Sequence, residues 1–252
     1  MASKPNKGEN AMPEVRDFAF DDRVSLYALL EDSHRAVRKK FLLHRLIYVA
    51  YISTELADKR DLGGYYERLF QNLQRRYQGD GISGLLLLYP SYVVHMIESS
   101  SDILFSVLRD LRSMQEHGHR VLLVDPRILI MSHDIPNRLF QQWSYEVLNL
   151  PANTLTDRSH REPTLTLVSE SLTRLLKLGT HLLKCPKSSK ASQDNLVEKV
   201  PELLLPQDTI GDLLEREELL TPHRYLEAYD SPLNIVMDSE LVWPPPGHFQ
   251  PI

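Results

Sequence analysis

Residues 82–97, I-S-G-L-L-L-L-Y-P-S-Y-V-V-H-M-I, decide the fold. Ile82 to Tyr89 and Tyr92 to Ile97 are two apolar, β-rich runs, and the Pro90-Ser91 step between them reads as the turn of a hairpin. Upstream, L-H-R-L-I-Y-V-A-Y-I-S at Leu43 to Ser53 carries β-branched and aromatic residues on both phases, as a strand buried on two faces does. Between that strand and the hairpin, a loop at Gly63 and Gly64 is followed by Tyr66, Leu69, Phe70, Leu73 and Tyr77 at helical spacing, up to a turn at Gly79-Asp80-Gly81. Downstream, Ser99 to Ser101 cap a helix carrying Ile103, Leu104, Val107, Leu108 and Leu111, and Arg120 to Met131 returns to strand character. The order β-α-β-β-α-β predicts an α/β (α+β) domain of ferredoxin-like form, an antiparallel sheet with two helices on one face.

Working outward, a further strand is expected around Trp143 to Leu150. Pro163 opens a helix with Leu165, Val168, Leu172, Leu175, Leu176 and Leu183 on one side, placed to cover the sheet's other face. These elements delimit a domain at 43–184. Ahead of it lie a polar N-terminus at 1–20, expected to be disordered, and a helix at 21–42 with Val24, Tyr27, Leu30, His34 and Val37 on one face. Behind it, 185–252 is an acidic, proline-containing extension. Its short apolar clusters, among them Leu203 to Leu205, Leu213, Leu214, Leu219, Leu220, Ile235 to Met237 and Leu241 to Trp243, read as too sparse for a second core. Packing on the domain and binding along a partner are both open to them.

Of the 252 residues 42% are hydrophobic and 25% charged, the composition of a folded protein. A single cysteine, Cys185, excludes a disulfide scaffold and thiolate zinc sites. No apolar run approaches the roughly 20 residues that cross a bilayer. The opening M-A-S-K-P-N-K-G-E-N has no signal-peptide core, and Ala2 stands where N-myristoylation needs glycine, so a cytoplasmic protein is expected. The net charge of -5 is concentrated late: residues 186–252 carry 5 basic and 12 acidic side chains. Lysines and arginines form no stripe, which argues against nucleic acid, and an acidic tail suits a basic protein partner or solubility.

Four blocks in order, R-L-I-Y at 45–48, G-I-S-G-L-L at 81–86, V-H-M-I-E at 94–98 and W-S at 143–144, resemble BLUF domains, bacterial blue-light sensors that bind flavin. The resemblance implies a flavin, FMN or FAD, held beside Tyr48, which takes the place of the family's electron-donating tyrosine. His95 falls where a hydrogen-bonding glutamine stands, and Trp143 lies in the last block. The family's ring-binding asparagines fall at Arg76 and Tyr77, and no counterpart of its arginine near the phosphate end occurs around Glu116 to His119. An arginine only donates, whereas the flavin edge alternates donors and acceptors. Tyr48, His95 and Trp143 therefore hold a flavin only if the groove still accepts one, and no bound cofactor is the expectation. The complete chain also resembles a mammalian testis-expressed family, which implies male germ cells and a place in the sperm flagellum or a ciliary axoneme among other proteins.

Other constellations carry less. His117, His119, His133, Asp125 and Asp134 fit no closed metal motif. Ser132-His133-Asp134 has the residue types of a hydrolytic triad, but neighbours on a strand face opposite ways. No phosphate-binding G-x-x-x-x-G-K-[ST] occurs. With no nucleophile, base and orienting group at useful spacing, a non-enzymatic structural or adaptor protein is expected, with a flavin- or ligand-binding sensor as the alternative. Tyr48 and His95 themselves read first as a satisfied polar pair in the core, and Trp143 as an aromatic covering the sheet edge.

Overall fold

A computed structural model describes residues 42–77, 81–116, 121–150, 162–184 and 196–230. The elements in chain order are β1 (His44–Ile52), α1 (Arg60–Arg76), β2 (Ser83–Leu88), β3 (Tyr92–Ser99), α2 (Ser101–Glu116), β4 (Leu123–Ser132), β5 (Trp143–Val147), α3 (Thr164–Lys184), α4 (Leu196–Lys199), a 3-10 turn at Pro201–Leu203, α5 (Gln207–Leu214) and α6 (Pro222–Tyr229). The sheet runs β4-β1-β3-β2-β5. Every pairing is antiparallel except β2 with β5, which is parallel. The first six elements of the domain thus follow the ferredoxin-like order, and β5 is the added strand.

Because β1, β2 and β3 are central, both phases of each are buried. Leu46, Tyr48, Ala50, Leu86, Leu88, Val93 and Ile97 form one face, under Leu62, Tyr66, Phe70 and Leu73 of α1 and Ile103, Leu104, Val107, Leu108 and Leu111 of α2. Ile47, Val49, Leu85, Leu87, Val94 and Met96 form the other. Gly84 is required where β2 meets β3. Its φ is +156°, and a Cβ there would stand 2.2 Å from the carbonyl oxygen of Met96.

The second face is covered by α3 as expected, through part of the expected stripe: Leu175 is buried there and Val168 and Leu172 pack against it. Leu167, Ser171, Leu175, Leu178 and Gly179 face inward, while Leu165, Leu176 and Leu183 are exposed. Ser171 and Gly179 disguised the buried stripe: a Cβ on Gly179 would come within 2.9 Å of Leu139, so the small residue seats that side chain against the helix.

Of the two placements open to the C-terminal leucines, the structure shows packing on the domain, so the core extends past the boundary drawn at residue 184. Leu204, Leu205, Leu213, Leu214 and Leu219 are buried against the second face beside α3, and Tyr225 and Leu226 of α6 join the first. They need no core of their own because the sheet, buried on both sides, supplies one. Nor do the prolines break these helices. Pro201 and Pro222 stand at first-turn positions and Pro206 caps α5, where a missing N–H costs nothing. The Ile128 amide, on β4, donates to the Leu220 carbonyl at 2.9 Å, which ties this segment to the sheet edge.

Several expectations lie outside the described residues: the N-terminus and its helix up to residue 41, Gly79 and Asp80, His117 and His119, the linker from Cys185, and the clusters at 235–237 and 241–243. Leu42, the last residue assigned to that helix, is buried and belongs to none.

Candidate functional site

Tyr48 lies directly across the β1–β3 ladder from His95, which sets both side chains on the helix-covered face. Trp143 reaches them from β5, two strands from β3 in the sheet order. The structure joins all three. The Tyr48 hydroxyl is 2.8 Å from His95 Nδ1, and Trp143 Nε1 donates to His95 Nε2 at 2.9 Å. A fourth member was not singled out in the sequence: Tyr66 of α1, whose hydroxyl lies 2.7 Å from that of Tyr48. Its periodicity marked it as a core residue, and nothing in a helical stripe says where a hydroxyl ends.

The proton order follows from donor chemistry. An indole N–H only donates, so His95 Nε2 accepts, and a neutral imidazole then carries its proton on Nδ1 and donates it to Tyr48. Tyr48 in turn donates to Tyr66. Neutrality is enforced by burial: His95 is fully enclosed, and desolvation pushes its pKa down to about 3. Burial raises the hydroxyl pKa of both tyrosines, with the neighbouring Asp110 charge adding to the rise. The rings are packed as well. Tyr66 meets His95 edge-on at 4.6 Å, and Phe70 meets Trp143 edge-on at 5.2 Å. Tyr66 and Phe70 thus stand on Tyr48, His95 and Trp143 on the helix-covered face of the sheet.

Arg76 and Tyr77 take no part in this knot. Arg76 is exposed with its guanidinium 5.7 Å from the Tyr77 ring centre, and the Tyr77 hydroxyl is 3.0 Å from Ser106 Oγ of α2. His133 lies with its Nδ1 3.1 Å from Nδ1 of His44, and its neighbour Ser132 ends β4. Among the described residues no group of three or more His, Cys, Asp or Glu is placed to hold a metal ion. Between α1 and α2 a cleft of about 760 Å³ stays open at the end marked by Glu55, Tyr65, Asp110 and Leu122.

A second buried polar cluster was also missed. Glu98, with no exposed surface, accepts from Arg45 Nε and Nη2 at 2.9 and 2.7 Å, from Ser83 Oγ at 2.9 Å, and from the amides of Leu139 and Phe140. Arg138 donates to Ser83 Oγ and to the carbonyls of Glu98 and Gly81. Each acceptor is used on the protein itself, so the cluster fastens the 137–140 segment to the sheet.

The model of one family, testis-expressed protein 47, matches residues 42–231. The chain belongs to that family. Its span covers both the sheet and the helices to α6, which agrees with one shared core. Among solved structures the chain is similar to the BLUF domain of BlrP1, at 18% identity over 43% of this chain and 66% of that one, with a TM-score of 0.33. It is similar also to BlrB, a BLUF protein in its dark state, at 20% identity over 43% and 73%, TM-score 0.33. A bacterial light-regulated adenylyl cyclase matches at 19% identity over 57% of this chain and 36% of that one, TM-score 0.34. At such scores these likenesses carry no argument about chemistry, and the fold stands on strand order and register. No helix among the described residues is long and apolar enough to cross a membrane.

The buried imidazole gives a pH signature. Unfolded, His95 titrates near 6.5; folded, it stays neutral to about 3. Between those values the unfolded chain binds the extra proton, so stability falls as pH falls, by at most about 1.4 kcal/mol per unit. Denaturant midpoints measured from pH 7 to 4 should decline in the wild type and decline less in His95→Gln, whose amide can also accept from Trp143 and donate to Tyr48. Equal declines in both would show that His95 is not the group responsible.

Proposed function

We propose that the protein is a non-enzymatic structural or adaptor component of a sperm flagellar or ciliary assembly, held there by contacts with other, axonemal proteins. Membership in a testis-expressed family supports the tissue. The observation that carries the reading is the knot itself: the polar groups of Tyr48, His95 and Trp143 are spent on one another and on Tyr66, and Tyr66 and Phe70 cover them. A side chain committed in this way gives a rigid core and offers nothing to a reactant. The second reading, a sensor that holds FMN or FAD, draws on the open cleft between the helices.

One purification tests both. Full-length protein isolated from testis should be colourless, should bring down axonemal chains, and should show no melting shift with added FMN or FAD. A flavin at 100 times its dissociation constant stabilises a native protein by about 2.7 kcal/mol. A yellow eluate or a saturable flavin shift would replace the adaptor reading with the sensor; isolation with no co-purifying axonemal chain would remove its flagellar part.

A further inference from the structure

The cleft between α1 and α2 has the size of a small-molecule site, about 760 Å³. Its walls include apolar surface from Leu56, Tyr65, Met114 and Leu122. Its charged lining is one-sided: Glu55, Asp61 and Asp110 against Arg68 alone, among the described residues. Asp110 is the unusual member. Its Oδ1 accepts from the Tyr65 hydroxyl at 2.7 Å, while its Oδ2 is buried with no hydrogen-bond partner, and no described cation pairs with it. A carboxylate set in a concave, partly apolar wall without a counter-ion is an expensive arrangement for an empty cleft. Burial accordingly raises its pKa.

We propose that this cleft binds a small molecule that joins an apolar, ring-sized body to a protonated amine, the amine facing Asp110, Asp61 and Glu55. The body lies against Leu56, Tyr65, Met114 and Leu122, and the Tyr65 ring offers a π face to the cation. The same charge opposes the phosphate of a flavin nucleotide, so the site selects a ligand class opposite in sign to FMN. The inference is independent of the adaptor reading, which concerns the sealed knot and the partners.

Tryptamine and indole-3-propionate, similar bodies with opposite charges, make the test. In titration calorimetry and melting experiments on the full-length chain, tryptamine should bind saturably with a dissociation constant below 1 mM. Indole-3-propionate should bind at least tenfold more weakly. Asp110→Asn, which can still accept from Tyr65, and the exposed Asp61→Asn should each weaken tryptamine several-fold, and Met114→Trp should fill the cleft and abolish binding. Should Asp110→Asn or Met114→Trp not fold, Asp61→Asn decides. No saturable tryptamine binding up to 1 mM, equal binding of the two probes, or unchanged affinity in the folded carboxamide variants would each overturn the proposal. None of these outcomes bears on partner recovery, so the proposal can fail while the adaptor reading stands.

Discussion

Truncation after Lys184 is expected to yield a protein that aggregates or melts without cooperativity. Removing the rest of the chain takes away ten buried apolar side chains, from Leu196 to Leu226. Ile210, Leu213 and Leu214 of α5 lie on the second face of the sheet with Ile47, Val49 and Met96, and α3 alone would leave part of that face in water. Tyr225 and Leu226 would leave the first face, and the bidentate contact of Arg109 with Asp230 would go with them. A contiguous apolar patch bared on a central sheet is an aggregation surface. The informative comparison is solubility and calorimetric melting of 1–184 against the full chain. A soluble fragment with one sharp transition would show that α5 and α6 dock on a finished domain, which is what the domain at 43–184 implies when the sequence is read alone.

That contrast shows what the sequence holds and what it hides. The β-α-β-β-α-β order is legible because β1 to β3 are apolar on both phases and α1 and α2 keep a clean helical stripe. In α3 the buried stripe contains Ser171 and Gly179, so apolar counting selects Leu165 and Leu183, which face water. In α5 the inward apolar residues are few because a two-turn helix needs only Ile210, Leu213 and Leu214, and the strands β1 and β3 that they meet lie more than a hundred residues away in the chain. The site divides similarly. Tyr48, His95 and Trp143 were visible as a group through the family-like blocks that carry them. Tyr66 was visible only as an apolar position, since its role depends on the helix's rotation over the sheet.

Arg45 and Glu98 could have been paired from the strands themselves: with the register that sets Tyr48 against His95, an antiparallel ladder sets residue 45 against 98. This pair carries the second large prediction. Glu98→Ala should destabilise the protein by about 3–5 kcal/mol, because it leaves the Arg45 charge buried without its partner. It also strips the acceptor from the Leu139 and Phe140 amides and from Ser83. Arg45→Met should cost clearly less, since Glu98 keeps those three donors and the methionine fills the stem's volume. The double variant should then cost little more than Glu98→Ala alone, a coupling that a double-mutant cycle in urea reads directly. Single losses that simply add would mean that the two charges do not depend on each other and that the backbone amides, rather than the ion pair, hold residues 137–140 to the sheet; an Arg45→Met cost equal to that of Glu98→Ala would mean the reverse, that the ion pair carries the loss and the amides of Leu139 and Phe140 add little.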